Sequence, residues 1–407
     1  PPQAPPPASK SSPPVLIYLQ EELLLGQGAY GMVTQVRDMT RGRRYALKRL
    51  PKFKVATSLE SVLDEQLVLR RLNCPFCIRQ LASFQDPYYL YILMELCSAG
   101  DLADVLIAEE RLAPVPPIWL RLASSVPAKA AKKMPHHKRA ALREDVARFY
   151  IAGILLALEH LHHRFIVYRD LKPSNVLLDA RGYPKLADFG MATCLGHVDG
   201  TSSTCCGTPH YIAPEVVHAE YGMAVGGKRQ RVPYGLSPDW WCLGGVLYTL
   251  LTGSRPFSLE REDGVEEEPW DIIRRVIDPR YEVPYPSYLS NEATQLLQAL
   301  LVRQPKWRLG CRGEGAAEIK RHAWFRGFDW AAMAQQRLRP PRQPKAQDYE
   351  RRRRWLASNY FAPEDRSDAY TAAAAAAAAA KAKVAAAKPG APLPFTDEQL
   401  SQLLACF

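Results

Sequence analysis

The spacing of hydrophobic residues changes character near Glu95, and that change predicts the architecture. From Val15 the pattern is that of strands. Leu23, Leu24 and Leu25 run into a glycine turn, residues 32–36 alternate, and 44–50 form another short apolar strand. Residues 58–72 place Leu59, Val62, Leu63, Leu67 and Val68 at helical spacing, with Ser58 or Ser61 as the N-cap. Two more strands are predicted over 77–84 and 89–95. Beyond Glu95 the periods are helical. A long apolar helix is predicted over 142–162, and 239–252 is so uniformly hydrophobic that it must be buried. Amphipathic stretches follow at 270–277 and 291–301. A strand-rich first part and a helical second part predict an α+β fold in two lobes.

Several segments fall outside this pattern. Residues 1–14 hold seven prolines without hydrophobic periodicity, so 1–18 reads as a disordered leader. Three stretches look inserted: 113–140, rich in Pro, Ala, Lys and His; 218–236, with Gly226, Gly227 and a Lys-Arg-Gln-Arg run; and the acidic 258–269. After Phe325 the composition shifts again, to four arginines at 351–354 and nine alanines at 372–380, the latter either helical or of low complexity. With 47% apolar and 23% charged residues, a wholly disordered chain is excluded, and 407 residues suffice for two to three compact units. The net charge of +11 favours acidic partners, whether phosphorylated ligands, nucleic acid or anionic membrane, without choosing among them. The basic run at 351–354 reads as a solvated face, and no nucleic-acid reader motif accompanies it.

Nine scattered cysteines lack the density of a disulfide scaffold and read as reduced thiols, which predicts a cytoplasmic setting, with nuclear or membrane-associated pools left open. Cys74 and Cys77 have C-x-x-C spacing, but no second pair or histidine cluster completes a zinc set. No apolar run reaches the ~18 residues that span a bilayer. The chain opens on Pro1 rather than Met, so a targeting or acylation signal at a native start is not legible in it.

The chemistry is concentrated in an ordered set of motifs. Gly26, Gly28, Gly31 and Val33 form G-x-G-x-x-G-x-V between two strands, where glycines let backbone N–H groups close over phosphates. A strand rather than a helix follows, which disfavours a dinucleotide-binding reading. Lys48 lies seventeen residues past Gly31 in Tyr45-Ala46-Leu47-Lys48, and Glu65 on the next helix is placed to hold it. Tyr168-Arg169-Asp170-Leu171-Lys172-Pro173-Ser174-Asn175 follows, then Asp188-Phe189-Gly190 and Ala213-Pro214-Glu215. In this order they make up the protein-kinase signature set almost completely.

Residues 19–325 therefore resemble a eukaryotic protein kinase, which implies a bilobal fold. The small β-rich lobe would span 19–94, the hinge and helical lobe 95–325, and a tail 326–407. Within the superfamily the chain resembles the AGC group, which holds the cyclic-nucleotide-dependent kinases and protein kinases B and C. Tyr168, Cys206-Gly207-Thr208-Pro209, Asp239-Trp240-Trp241, Trp307-Arg308-Leu309-Gly310, His322-Ala323-Trp324-Phe325 and a terminal Leu404-Ala405-Cys406-Phe407 carry that likeness.

The resemblance implies ATP and Mg²⁺ as cofactors and Ser or Thr in proteins as acceptors. Lys48, ion-paired to Glu65, would hold the α- and β-phosphates, and Asn175 and Asp188 would ligate Mg²⁺. Asp170 would accept the substrate hydroxyl proton, Lys172 would contact the γ-phosphate, and Thr208 would brace the loop. Val33, Ala46 and Leu177 would sandwich the adenine, with backbone groups of Glu95 and Cys97 at the hinge and Met94 behind it. Thr204 would be the activating phosphothreonine, paired by Arg169, and Phe407 would end the regulatory tail. Glu215 and Arg308 would form a structural ion pair. Asp101 would meet an arginine three positions before the acceptor. A regulatory subunit on the helical lobe is a further implied partner; specific nucleic acid is not.

Some positions depart from the family. Gln80 stands where a leucine is usual in a stack that Leu69, Tyr168 and Phe189 otherwise fill, and a polar residue there weakens the stack unless its amide finds partners. Ser174 and His210 replace two glutamates that help relatives bind arginine-rich substrates. The competing reading is a catalytically weak or inactive scaffold on the same fold, but such scaffolds lose the counterparts of Lys48, Asp170 or Asp188, all retained here.

Overall fold

The computed structural model describes residues 18–27, 31–52, 59–112, 141–225, 228–259 and 267–343. Gly28, the segment 113–140, the pair Gly226 and Gly227, most of the acidic stretch, the arginine and alanine runs and Phe407 lie outside the described residues. The chain divides into two units. The first holds the described residues up to Leu63 together with Arg79–Leu96; the second holds Asp64–Ile78 and the described residues from Cys97 on.

The first unit is an antiparallel sheet of five strands: β1 (Leu19–Gln27), β2 (Met32–Asp38), β3 (Arg44–Pro51), β4 (Gln80–Gln85) and β5 (Tyr89–Met94). Their spatial order is β1-β2-β3-β5-β4. Each strand alternates sides, so one face buries Val36, Leu47, Tyr91 and Leu93 under Phe84 and Tyr89. Asp86 builds the β4–β5 turn, accepting from the N–H groups of Tyr88 and Tyr89, each at 2.7 Å, and from the Tyr91 hydroxyl at 2.8 Å. The helix predicted over 58–72 is α1 (Leu59–Arg71), and the division between the units falls within it.

The strand predicted over 77–84 begins only at Gln80. Its first residues pair elsewhere: Cys77 bridges Leu186, and Ile78 N–H donates to the Leu186 carbonyl at 2.8 Å. Periodicity counts Cys77 and Ile78 as strand because they are buried, but their backbone partner lies more than a hundred residues on.

The second unit is mainly helical. It begins with α2 (Leu102–Leu112) and α3 (Glu144–His162), followed by the short strands β6 (Ile166–Val167), β7 (Val176–Leu178), β8 (Pro184–Leu186) and β9 (Thr193–Cys194). β6 pairs with β9 and β7 with β8. Next come α4 (Pro214–Tyr221), the hairpin of β10 (Met223–Val225) and β11 (Lys228–Gln230), α5 (Pro238–Thr252), α6 (Pro269–Ile277), α7 (Asn291–Leu300), α8 (Ala316–Lys320) and α9 (Trp330–Ala334).

Every residue of α5 is buried, as its uniform hydrophobicity predicts, and it packs between α3 and α7. Trp241 stacks on Phe257 at 5.2 Å. Glu144 ties the start of α3 to the C-terminal elements, accepting from the Ser290 N–H and hydroxyl at 2.8 Å each and from the Trp324 indole at 2.9 Å. The hydrophobic pattern misses α2 and α4, because both are short and open on turn chemistry: Asp101 before α2, and Pro214 in the first turn of α4. No helix among the described residues is long and apolar enough to cross a membrane.

Candidate active site

In the first unit the strand register gathers the predicted nucleotide residues into neighbouring rows. Gly26 of β1 pairs with Val33 of β2, Val33 with Lys48 of β3, and Lys48 with Ile92 of β5. One step along, Ala46 pairs with Met94, and Met94 with Gln80. Lys48 and Ala46 are two residues apart, so Gly26, Val33, Ala46, Lys48 and Met94 share one face of the sheet. Gly31 approaches β3 so closely that a Cβ would sit 2.2 Å from the Arg49 carbonyl oxygen, and no other residue fits without moving the strand. The N–H of Glu95 donates to the Arg79 carbonyl at 3.0 Å, and its side chain accepts from the Arg79 N–H at 2.8 Å. The hinge group that Glu95 can offer is thus its carbonyl, not its N–H.

In the second unit the loop between β6 and β7 holds the predicted base. Asp170 is 6% exposed, and four contacts orient its carboxylate and backbone. Its Oδ1 accepts from the Thr208 hydroxyl at 2.7 Å; its Oδ2 accepts from Lys172 Nζ and from Asn175 Nδ2, both at 2.8 Å. Asn175 Nδ2 also donates to the Asp170 carbonyl at 2.9 Å. Both amide hydrogens of Asn175 are therefore committed, which leaves its Oδ1, a hard oxygen donor, as the atom a cation could use. Lys172 Nζ donates to Thr208 as well, at 2.9 Å, closing a ring of three side chains, Asp170, Lys172 and Thr208, with Asn175 joined to it through Asp170.

Asp188 follows β8 with a φ of +53°, in the left-handed region. A Cβ on Gly190 would lie 3.3 Å from Asp188 Oδ1 and 3.8 Å from Glu65 Oε2, so the Glu65 carboxylate, 4% exposed, sits beside the Asp188-Phe189-Gly190 turn. Tyr168 and Phe189 meet edge to face at 5.3 Å, and Leu69 is buried in the same unit. Leu177 and Asp101 form an antiparallel bridge, which places Asp101 at the mouth of the β7 ribbon. There it also caps α2, accepting from the Asp104 N–H at 2.9 Å.

The activation segment returns to the same loop. Arg169 has a φ of +70°, and its guanidinium donates to the Met191 carbonyl at 2.5 Å, to the Ser202 hydroxyl at 3.2 Å and to the Tyr234 hydroxyl at 3.3 Å. Thr204 is exposed. Its N–H donates to Ser202 Oγ at 3.3 Å, and its carbonyl accepts from the Tyr234 hydroxyl at 2.5 Å. Ser202 thus joins Arg169 to Thr204. Gly207 turns the segment at a φ of +115°, with a Cβ position only 2.8 Å from the Arg169 carbonyl oxygen. Burial pushes the thiols of Cys205 and Cys206 above their ordinary range.

Two positioning groups escape a reading of single motifs. Asp239 is fully buried at the start of α5 and accepts from the Tyr168 and Arg169 N–H groups, each at 2.9 Å, and from His162 Nε2 at 2.8 Å. Tyr234 supports Arg169 from a segment that looks like an insertion. The pairing of Asp239 with a loop some seventy residues upstream has no sequence signal beyond the Asp-Trp-Trp triplet. Glu215 and Arg308 meet at 2.5 and 2.8 Å, with Arg308 wholly buried.

Residues 19–325 match the family model for the protein kinase domain. The chain is 34% identical to the cGMP-dependent protein kinase of Toxoplasma gondii over 81% of its own length, and it spans 28% of that relative. It is 34% identical to the cAMP-dependent protein kinase catalytic subunit PRKX of Mus musculus, covering 79% of this chain and 76% of the relative, and 35% identical to the protein kinase C eta type of Mus musculus over 80% of this chain and 41% of the relative. A lysine strand behind a glycine turn, an aspartate held by Lys172, Asn175 and Thr208, and a match running through both units lead to one statement: this chain belongs to the protein kinase family.

Proposed function

We propose that the chain is a serine/threonine protein kinase that transfers the γ-phosphoryl group of ATP to Ser or Thr hydroxyls of proteins, prefers basic sequences and is controlled through its activation loop. The observation that carries the reading is the Asp170 carboxylate, fixed by Thr208, Lys172 and Asn175 with both oxygens engaged. Phosphoryl transfer is mostly positioning and charge neutralisation, so a preoriented carboxylate is what the acceptor hydroxyl needs. Asp170 accepts the hydroxyl proton and aims the oxygen in line. Lys172, already beside Asp170, neutralises charge on the transferred group. Asn175 Oδ1 and the Asp188 carboxylate are the oxygen donors that would hold Mg²⁺, which when bound offsets phosphate charge. Within the first unit, Lys48 would contact the phosphates, and Val33 and Ala46 the adenine. The test is transfer of label from γ-labelled ATP with Mg²⁺ to serine in a basic peptide; no label above the background of the Asp170→Asn variant would refute the reading.

The basic preference rests on Asp101. Asp101→Asn keeps the cap on α2 and removes the charge. One charge-assisted pair is worth roughly 1.5–3 kcal/mol, so the variant should lose about 10- to 100-fold of its preference for arginine three positions before the acceptor. An arginine next to that one should gain less. Ser174 is exposed and uncharged, and His210 is engaged by Arg255 at 2.7 Å, which brings a cation where relatives have an acid. Peptides differing only at those two positions decide it, and indifference to both would overturn the preference.

Control through the loop is supported by the exposure of Thr204 and by the Arg169 guanidinium two residues away at Ser202. A phosphate on Thr204 would pair with Arg169 and order the segment. Thr204→Ala should lower turnover about tenfold, the worth of one charge-assisted hydrogen bond, with the melting curve unchanged. Full activity in that variant, with no phosphate in the loop of the wild type, would contradict the assignment. Because the mouse and Drosophila melanogaster relatives are named as catalytic subunits, a regulatory partner on the helical lobe belongs to the same proposal.

A further inference from the structure

The C-x-x-C pair that completes no zinc set lies in the second unit, outside the ring around Asp170. Cys74 and Cys77 are the first and last residues of a tight turn: the Cys77 N–H donates to the Cys74 carbonyl at 3.2 Å. A turn so closed keeps the two Cα atoms within about 7 Å, the span a disulfide bridges. Pro75 fixes the first central φ of the turn, so the cysteines are held in place before any bond forms.

The two thiols differ in access. Cys77 is 1% exposed, whereas Cys74 is half-buried and lines an open cavity of about 260 Å³. His160, His163 and Arg164 from the end of α3 line the same cavity. Glu159 also lines it, but its carboxylate is taken by Lys320 at 2.5 and 2.7 Å. Lys185 Nζ stands behind the turn, donating to the Pro75 carbonyl at 2.9 Å. His160 Nε2 is buried and makes no hydrogen bond among the described residues. Burial disfavours the charged form of His160, so the positive charge near Cys74 is that of Arg164 in the lining and Lys185 behind the turn; partial exposure beside such charge is the setting of reactive cysteines. The hydrogen bond from Cys77 outweighs burial and holds the Cys74 thiol below its ordinary range, while the loop cysteines 205 and 206 are pushed the other way.

We propose that Cys74 and Cys77 form a peroxide-responsive modification site, with Cys74 the attacking thiol and Cys77 the resolving one, and that bridging them lowers turnover. In the first step the Cys74 thiolate attacks a hydroperoxide: an S–O bond forms, the O–O bond breaks, and the leaving oxygen takes a proton to become alcohol or water. In the second, the Cys77 sulfur attacks the Cys74 sulfenic acid; the S–S bond forms, the S–O bond breaks, and hydroxide leaves as water with the Cys77 proton. The pair loses two electrons and two protons, and one hydroperoxide is reduced.

The link to the active site is the backbone. Leu186 N–H donates to the Phe76 carbonyl at 2.8 Å, and Ile78 N–H donates to the Leu186 carbonyl at 2.8 Å, so the turn is stitched to the strand two residues before Asp188. Ala187 N–H donates in turn to the Asn175 carbonyl at 2.9 Å. Drawing the sulfurs to a bonded ~2.05 Å tightens the turn and pulls on Leu186, and so on both residues assigned to Mg²⁺.

The test treats the full chain with hydrogen peroxide, alkylates it, maps the tryptic peptide 72–79 by mass spectrometry and follows turnover in parallel. The peptide should lose two hydrogens, turnover should fall, and a dithiol should restore both. Cys74→Ser should keep its turnover under the same treatment, and Cys77→Ser should stop at a sulfenic acid captured by dimedone on Cys74. Both cysteines alkylated after treatment, or a bridge formed with turnover intact, or an equal loss in Cys74→Ser, would each overturn the proposal. The mapping needs no kinase activity, so its failure is distinguishable from failure of the function proposed above.

Discussion

Asp170→Asn should lower kcat by at least about 10²-fold, the lower range of an acid–base contribution, or about 2.7 kcal/mol of barrier. The substitution keeps the shape but removes the proton acceptor. It also breaks the ring described above. The carboxylate accepts from three side chains, on Oδ1 at 2.7 Å and twice on Oδ2 at 2.8 Å. An asparagine has one accepting oxygen, and its NH₂ must then face a donor, either Thr208 or the pair of Lys172 and Asn175. Thr208→Val separates the two effects: it removes one bracing bond and leaves the base, so its loss should be smaller. Nucleotide affinity should survive Asp170→Asn better than Asp188→Asn, in which an oxygen donor for Mg²⁺ is weakened. Near-wild-type turnover in Asp170→Asn would remove Asp170 from the proposed chemistry.

Arg308→Ala should lose about 3–5 kcal/mol of stability, the usual cost of leaving one partner of a buried ion pair behind. Arg308 is wholly buried and uses its guanidinium fully. It donates to both Glu215 oxygens, to the Ser237 carbonyl at 2.9 Å and to the Val302 carbonyl at 2.9 Å, and it lies over Trp241 at 5.2 Å. Removing it strands the Glu215 carboxylate, with the Ser237 hydroxyl at 2.8 Å as its remaining partner, and orphans the carbonyls. Arg308→Lys should recover little, because one ammonium cannot reproduce the planar fork. Urea unfolding of the three proteins is the check. A loss below about 1 kcal/mol in Arg308→Ala, the scale of an exposed pair, would mean that the pair is not the anchor its burial implies.

The sequence made the site more legible than the fold around it. Lys48, Asp170, Asn175 and Asp188 sit in short motifs whose order along the chain carries the information. The strands of the first unit and the buried α5 also follow directly from periodicity. What escaped was long-range pairing. The strand predicted over 77–84 starts three residues late because Cys77 and Ile78 are buried against Leu186, and burial alone does not say by what. Asp239 and Tyr234 support the loop at Arg169 from dozens of residues downstream, through contacts that no local pattern encodes. The stretch 218–236 shows the same limit. Its glycines and basic run look like an insertion, yet it contributes the end of α4, a hairpin and the Tyr234 hydroxyl that reaches Thr204.

Asp239 also determines how the site fails. The amides of Tyr168 and Arg169 end on its two carboxylate oxygens, and Asp239 belongs to the first turn of a helix with no exposed residue. The β6–β7 loop therefore cannot open by itself without taking two of three hydrogen bonds from a buried carboxylate and leaving it to His162 alone, a cost of several kcal/mol. Its local unfolding is tied to that of the α5 core, so the loop and the helix belong to one cooperative unit. Heat should then abolish activity as the second unit melts, and not earlier through a softening of the catalytic loop alone.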